Sequence, residues 1–373
     1  MKCKYLMFGD FSEMKYGKMP RKDGVKDIGK YPVYSGYRIV GYYDEYNVDE
    51  PTLIVVARGV GGTGDVKISP SKCWLTNLSI SVVVDENVAI KEYLYYYFKV
   101  HNLRYLDSGS AQSQITISDL SRKEIILPTI DVQKKIVKFL KCFDDKIENN
   151  TAINRNLYEQ AVALFESTYQ SYPERKIGEL DILVTDYVAN GSFASLKKNV
   201  TILEEKDYAY FIRNVDLKAK DFSRFVNQHS YEFLSKSKLV GGEVIISNVG
   251  DVGSVFLCPK LDGPMTLGNN IIMLTSSKHN NYLYLFFKSY IGQGKIDSIT
   301  GGSAQPKFNK TDFKSLEINY PDDWQIDTFN ENTAVLLNMI SKLDEENKRL
   351  TVLRDCLLTK LMSGELDVSN IEI

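Results

Sequence analysis

Ser110, Gln112 and Gln114 follow a glycine turn, and Ser303, Gln305 and Lys307 follow another. A glutamine amide pairs one donor with one acceptor and so matches the major-groove edge of adenine. Serine and lysine meet phosphate oxygens or base edges. This is chemistry of contact rather than of bond-making. The same surface vocabulary recurs in Asn190, Ser192, Ser195, Lys197, Lys198, Arg213 and Asn214, with Arg58 as a further cation in the first half. A plainer reading stands beside it. The Gly-Ser-Ala-Gln turn folds back to cap the segment after it, and polar loops of this kind occur on any soluble protein. A motif present twice serves a common geometry more naturally than two different targets, so base readout is expected from residues that differ between the copies.

No catalytic constellation accompanies these residues. His101, His229 and His279 are isolated, without Cys or carboxylate at ligand spacing, and read as surface or packing residues, so no metal site is expected. Five scattered cysteines (Cys3, Cys73, Cys142, Cys258, Cys356) form no C-x-x-C. They argue against zinc and a disulfide framework and fit reduced thiols in a cytoplasm. The run Gly59-Val60-Gly61-Gly62-Thr63-Gly64 lacks the Lys-Ser/Thr ending of a phosphate loop and leads into Asp65-Val66-Lys67-Ile68, a strand. It is expected to be a hairpin; the alternative is an enzyme that uses this loop for a nucleotide. There is no H-E-x-x-H, no G-x-S-x-G, and no Asn-Pro-Pro-Tyr type motif for holding a flipped adenine.

These residues sit in a duplicated chain. Gly109-Ser110-Ala111-Gln112 returns 193 residues later as Gly302-Ser303-Ala304-Gln305, and Asp119, Glu124, Ile125 and Pro128 meet Asp312, Glu317, Ile318 and Pro321 at the same offset. Eight identities fall in twenty ungapped positions, where unrelated composition gives roughly one. Ile177-Gly178-Glu179-Leu180 echoes Phe8-Gly9-Asp10-Phe11, and Val249 to Val255 echoes Val60 to Val66. Each copy opens with β-branched runs bounded by turn residues: Thr52–Ala57 and Leu78–Val84 in the first, Glu243–Ser247 and Ile271–Leu274 in the second. An aromatic helix follows, over 91–103 and 282–289.

Each copy then changes to period 3.5. Ile136, Leu140, Phe143, Ile147, Asn150, Asn154, Leu157, Ala161 and Leu164 form one seam. Phe329, Thr333, Leu336, Ile340, Leu343, Asn347, Leu350, Arg354, Leu357 and Leu361 form the other, which Gly364 stops. Helices of about 38 residues span roughly 57 Å at 1.5 Å per residue. Neither buries its seam on its own globular unit, so the two are expected to pair antiparallel about a pseudo-two-fold axis. Asn150, Asn154 and Asn347 then meet near the middle and set register at some cost in stability. The alternative is two independent surface helices with tolerated polar breaks. The fold class is therefore α+β: two β-rich mixed units joined by two long antiparallel coiled-coil helices, as an internal repeat.

Bulk properties bound the function. A chain of 373 residues, 43% hydrophobic and 25% charged, holds two or three ordinary globular domains. No run of 18 apolar residues exists, and the start reaches Gly9-Asp10 too soon for a signal peptide, so a cytoplasmic protein off the membrane is expected. The formal charge of −2 is low for an independent nucleic-acid binder, which usually shows a basic excess. Either nucleic acid is not the target, or local basic faces act with help from partner subunits. A coiled-coil scaffold with protein- or glycan-binding end domains is the competing class, favoured by apolar or acidic ends.

At this point the chain resembles the specificity subunits of type I restriction–modification enzymes. The order of globular unit, long helix, globular unit, long helix carries the resemblance, together with the junction phrases. In that family a Gly-Ser/Thr-x-Gln turn precedes a short strand and a Leu-Pro-Pro-Leu-x-Glu-Gln-x-x-Ile helix start. Here the first copy reads Leu127-Pro128-Thr129-Ile130-Asp131-Val132-Gln133-Lys134-Lys135-Ile136 and the second Tyr320-Pro321-Asp322-Asp323-Trp324-Gln325; both lack the second Pro and the Glu before Gln. Thr185 to Lys197 also resembles the opening of a recurrent recognition-domain class there. The resemblance implies target recognition domains at 1–130 and 172–322, spacer helices at 131–171 and 323–364, and a tail at 365–373. It implies a non-catalytic chain reading two unlike half-sites of double-stranded DNA, on the order of one helical turn apart. It implies no cofactor in this chain, two modification subunits that bind S-adenosylmethionine and methylate adenine, and restriction subunits with ATP-dependent endonuclease and translocase activity.

Overall fold

Each β-branched run becomes an interior strand of a four-stranded sheet; the run over 52–57 is buried throughout, whereas that over 78–84 turns Val83 to water. The computed structural model describes residues 3–36, 38–59, 62–107, 113–302 and 304–369. It divides into two units: Met1–Asn150 with Glu345–Ile373, and Thr151–Asp344.

Unit 1 runs through β1 (Cys3–Met7), β2 (Ser12–Tyr16), β3 (Tyr31–Ser35), β4 (Arg38–Tyr43), β5 (Leu53–Val56), β6 (Val66–Ile68), β7 (Trp74–Leu75), β8 (Ser79–Val84), α1 (Lys91–Val100), α2 (Ile117–Ser121), β9 (Glu124–Pro128) and the first part of α3 (Ile130–Thr168). Strands β1 and β9 clasp antiparallel, β2-β8-β5-β6 form an antiparallel sheet, and β4-β3-β7 form a smaller one. In β3 the partner β4 is antiparallel and β7 parallel. Strand β5 is buried on both faces. Leu53 and Val55 pack under the aromatic helix α1, and Ile54 packs with Cys73 and Leu75 under the small sheet.

Unit 2 runs through β10 (Glu174–Lys176), β11 (Leu183–Asp186), α4 (Phe193–Asn199), β12 (Ile202–Leu203), β13 (Ala209–Ile212), α5 (Asn214–Ala219), β14 (Phe225–Val226), α6 (Gln228–Phe233), β15 (Lys238–Leu239), β16 (Val244–Ser247), β17 (Val255–Leu257), β18 (Met265–Leu267), β19 (Ile271–Thr275), α7 (Asn280–Lys288), α8 (Tyr290–Ile299), α9 (Lys310–Ser315), β20 (Glu317–Asn319) and the first part of α10 (Asp323–Ser363). The topology of unit 1 returns. Strands β10 and β20 clasp, and β11-β19-β16-β17 repeat the four-stranded order. Strand β13 pairs antiparallel with β14 and parallel with β18, as β3 does with β4 and β7. Val244 and Ile246 face the aromatic helix α7 while Ile245 faces the second sheet. That second sheet has five strands here, flanked by α4, α5 and α6 that unit 1 lacks among its described residues.

Among the described residues, the repeated aspartates and isoleucines are framework. Asp119 and Asp312 close the first turns of α2 and α9 against Thr116 and Asn309, the backbone N–H of Asp119 reaching Thr116 Oγ1 at 3.2 Å and that of Asp312 reaching Asn309 Oδ1 at 2.9 Å. Ile125 and Ile318 are core residues of β9 and β20. Phe8 N donates to Lys123 O at 2.8 Å, and Ile177 N to Leu316 O at 3.0 Å. A Cβ on Gly9 would lie 2.9 Å from Ser121 Cβ, and one on Gly178 would lie 3.1 Å from Lys314 O, so the echoed glycines let each short helix approach.

Val60 and Gly61 lie outside the described residues; β5 and β6 on either side of the glycine-rich run pair antiparallel, as a hairpin requires. Gly64 N donates to Val56 O at 2.9 Å and Gly253 N to Ser247 O at 3.0 Å, with φ of +88° and +87°.

Helices α3 and α10 have 39 and 41 residues. In unit 1, Arg354 Nη1 donates to Asp144 Oδ1 at 2.6 Å, and Asn150 Nδ2 to Glu346 Oε2 at 2.8 Å and Asn347 Oδ1 at 2.9 Å. In unit 2, Asn154 Nδ2 donates to Asp344 Oδ1 at 3.0 Å. Rising numbers on one helix meet falling numbers on the other, so the pairing is antiparallel. Away from the polar middle of the pair, burial moves from Leu164, Leu336 and Leu357 to the adjacent Phe165, Leu337 and Leu358. There each helix packs on a globular core, with Phe165 joining the core of unit 2 and Leu358, Leu361 and Met362 that of unit 1. The segment after Gly364 is packed too: Val368 is buried in unit 1, and Lys135 Nζ donates to Ser369 O at 2.7 Å.

Candidate nucleic-acid interface

Strand direction gathers the polar loops of each unit at one end of its four-stranded sheet. In unit 1, β2 and β5 finish where β6 and β8 begin. The segment after the first Gly-Ser-Ala-Gln phrase returns to this end, where Ile115 N donates to Ala57 O at 2.9 Å and Arg58 bridges to Gln114. Gln114 N is held by Asp107 Oδ1 at 2.7 Å. Arg58 Nε is buried without a hydrogen-bond partner among the described residues. Thus the structure brings Arg58 and Gln114 together, while Ser110 and Gln112 lie outside the described residues.

Unit 2 repeats the arrangement with different side chains. Lys307 bridges to Val249, Phe308 N donates to Asn248 O at 3.1 Å, and Gly250 N donates to Pro306 O at 2.9 Å. Gln305 and Lys307 are exposed, and Lys307 makes no ion pair among the described residues. Ser303 lies outside the described residues. The hairpin loop between β16 and β17 is also tied to α5. Asp251 Oδ2 receives Lys218 Nζ at 2.5 Å, Ser254 Oγ at 2.6 Å and Asn214 Nδ2 at 3.0 Å. These donors, Lys218 first, hold the Asp251 carboxyl down at about 2. Asn214 Oδ1 and Asn248 Oδ1 are buried without partners among the described residues. Asn214, Gln305 and Lys307 therefore converge on one loop.

The remaining candidates divide by what already engages them. Asn190 donates to Tyr187 O at 3.0 Å and Ser237 Oγ at 2.8 Å, and accepts from Lys236 N at 2.9 Å, so its amide stitches two turns together. Ser192 is the N-cap of α4, accepting from Ser195 N at 3.3 Å, and Ser195 O accepts from Asn199 Nδ2 at 2.9 Å. Arg213 grips the buried Asp216 through Nε at 2.9 Å and Nη2 at 2.6 Å. Lys197 and Lys198 stand exposed on the last turn of α4, whose first turn carries Phe193 at 80% exposure.

Sequence reasoning missed Lys218, Asp251 and Phe193. Asp251 aligns with Gly62 of the first hairpin, which was a visible signal; its partners are remote in sequence and were not. His279 is a packing residue, stacked on Tyr320 with ring centroids 4.4 Å apart, and burial pushes its imidazole pKa down. Among the described residues no group of His, Cys, Asp and Glu is placed to hold a metal, and no helix is long and apolar enough to cross a membrane.

One α+β plan is used twice, each copy followed by a long helix and presenting unlike polar loops at the same sheet end. Residues 3–159 and 175–350 both match the sequence profile of the type I restriction modification DNA specificity domain. The chain belongs to that family, whose members are the non-catalytic DNA-recognition subunits of type I restriction–modification systems. It is 23% identical over 347 residues to the type I restriction enzyme MjaIX specificity subunit of Methanocaldococcus jannaschii, covering 86% of this chain and 78% of that one. It is 22% identical to the HindI specificity subunit of Haemophilus influenzae, covering 68% of this chain and 71% of that one. The crystal structure of a type I restriction-modification system S subunit from M. genitalium superposes with a TM-score of 0.64 at 21% identity, covering 96% of both chains. That likeness supports the α+β fold class with its repeated domains and two long helices.

Proposed function

We propose that this chain reads a bipartite, asymmetric double-stranded DNA target and holds two modification subunits and the restriction subunits around it. Residues 1–130 and 172–322 act as the two target recognition domains, 131–171 and 323–364 as spacer helices, and 365–373 as the tail. One observation carries the reading: the framework is the same in both units, while the smaller sheet mounted on it has three strands in one and five in the other. A repeated mount for two unlike surfaces suits one target with two unlike halves. Arg58 suits guanine, and the amides of Gln114, Asn214 and Gln305 suit adenine. Lys307, Lys197 and Lys198 suit phosphates. Ser110, Gln112 and Ser303 belong to the same segments. Asn190, Ser192, Ser195 and Arg213 keep the loops in place, and Asn150, Asn154 and Asn347 set helix register.

Methyl transfer to adenine belongs to the partner modification subunits, which bind S-adenosylmethionine, and the restriction subunits supply ATP-dependent cleavage in the cytoplasm. Partners that enclose the duplex account for a chain of formal charge −2 acting on DNA. The test is methyl transfer by the complex reconstituted with modification subunits. Transfer confined to duplexes carrying the methylated sequence mapped in the source genome supports the reading; equal transfer to target and random duplexes defeats it.

A further inference from the structure

Helix α5 has no counterpart among the described residues of unit 1. There β3 ends at Ser35 and β4 begins at Arg38, whereas β13 ends at Ile212 and β14 begins at Phe225, with α5 between them. Both ends of this short helix are tied down within unit 2. Asn214 at its start and Lys218 in its last turn hold Asp251 of the hairpin loop at 3.0 and 2.5 Å. At its C-terminal cap, Lys220 Nζ reaches Asp344 Oδ2 on α10 at 2.5 Å, and the other oxygen of Asp344 accepts from Asn154 Nδ2 on α3 at 3.0 Å. A continuous chain of contacts thus runs from the polar loop end of the domain to the paired helices.

Two features of Lys220 do not follow from stability. Its φ is +52°, the left-handed region where a helix ends on Gly or Asn at less strain. Its ion pair with Asp344 is also well exposed, with 66% and 35% side-chain accessibility, and pairs of that kind contribute little to folding. A strained backbone that delivers a weakly stabilising contact points to position as what the contact supplies.

We infer that α5 is a strut setting the hairpin loop Asn248–Ser254 against the spacer helices, so that Lys220, Asp344 and Asp251 are positioning residues for the half-site that unit 2 reads. This rests on the DNA-recognition reading above. It adds an asymmetry that reading does not contain: unit 1 has no such strut among its described residues, so loosening it affects one half-site only.

The experiment uses the full complex with modification subunits. Half-sites are first assigned by exchanging residues 174–320 for the matching segment of a relative. Methyl transfer is then measured on duplexes bearing every single-base change in both half-sites, for Lys220→Gly and Asp344→Asn. Lys220→Gly removes the ion pair and relaxes the backbone, so its melting temperature holds or rises. Asp344→Asn removes the charge but retains an oxygen for Asn154. Both variants are expected to lose discrimination at the unit 2 half-site by roughly threefold to thirtyfold and to keep native discrimination at the other. Equal loss at both half-sites, loss confined to the unit 1 half-site, or no loss at either overturns the strut. A native complex that methylates target and random duplexes equally overturns the underlying reading instead, before any variant is compared.

Discussion

Gln114 and Lys307 hold equivalent places, each on the segment that returns to the loop end of its sheet, bridging to Arg58 and Val249. Their chemistry separates the expected outcomes. Lys307→Ala should weaken DNA binding by a similar factor on every sequence and lower the slope of log affinity against log salt by about 1, as loss of one phosphate contact does. Titration at several salt concentrations checks this, and a change confined to one base position would contradict it. Gly64 tests the framework instead. At φ +88°, with a Cβ that would sit 2.8 Å from Arg104 N, Gly64→Ala is expected to destabilise by about 2–4 kcal/mol in urea unfolding. At this scale the sequence was half legible. It marked Arg213 as a candidate contact, but the guanidinium is engaged by Asp216 three residues on. It was silent on the partners of Asp251, one of which lies 37 positions away.

The helices were legible because a period of 3.5 is local information, and Asn150, Asn154 and Asn347 stand in the seam where that period puts them. Asn150 is fully buried and donates to both Glu346 and Asn347, yet its Oδ1 lacks a partner among the described residues. Replacing both members of such a buried polar pair with apolar side chains is often neutral or stabilising, whereas replacing one strands the other. The double replacement Asn150→Leu with Asn347→Leu should therefore leave stability unchanged or raise it by about 1 kcal/mol, while broadening the range of half-site spacings methylated. A narrow, unchanged spacing preference would remove the register role. Inserting four residues into the 132–169 helix should change half-site spacing or assembly and leave each half's base preference alone, measured by methylation of spacer-length libraries. The shift of burial to Phe165, Leu337 and Leu358 was not legible, because period alone does not say where a helix stops facing another helix and starts facing a sheet.

At the scale of the molecule the two units share topology but not surface. Net charge near zero coexists with exposed cations that make no ion pair among the described residues, such as Lys197, Lys198 and Lys307, so binding by the assembled complex should still steepen as salt falls. Filter binding between about 50 and 200 mM salt tests this, and salt-independent affinity would favour a protein- or glycan-binding scaffold.

By itself the sequence determined the duplication, the paired long helices and the two glycine hairpins, because each is written in short-range letters: identities at a constant offset, a seam period, a turn. Tertiary structure decided the rest. The smaller sheets of both units, α5, and the assignment of Leu361 and Val368 to the core of unit 1 depend on contacts between residues far apart in the chain. The same long-range pairing settles which polar residues are engaged within the fold and which face outward, since a hydrogen-bonding side chain looks the same in a sequence whether or not its partner is already in place.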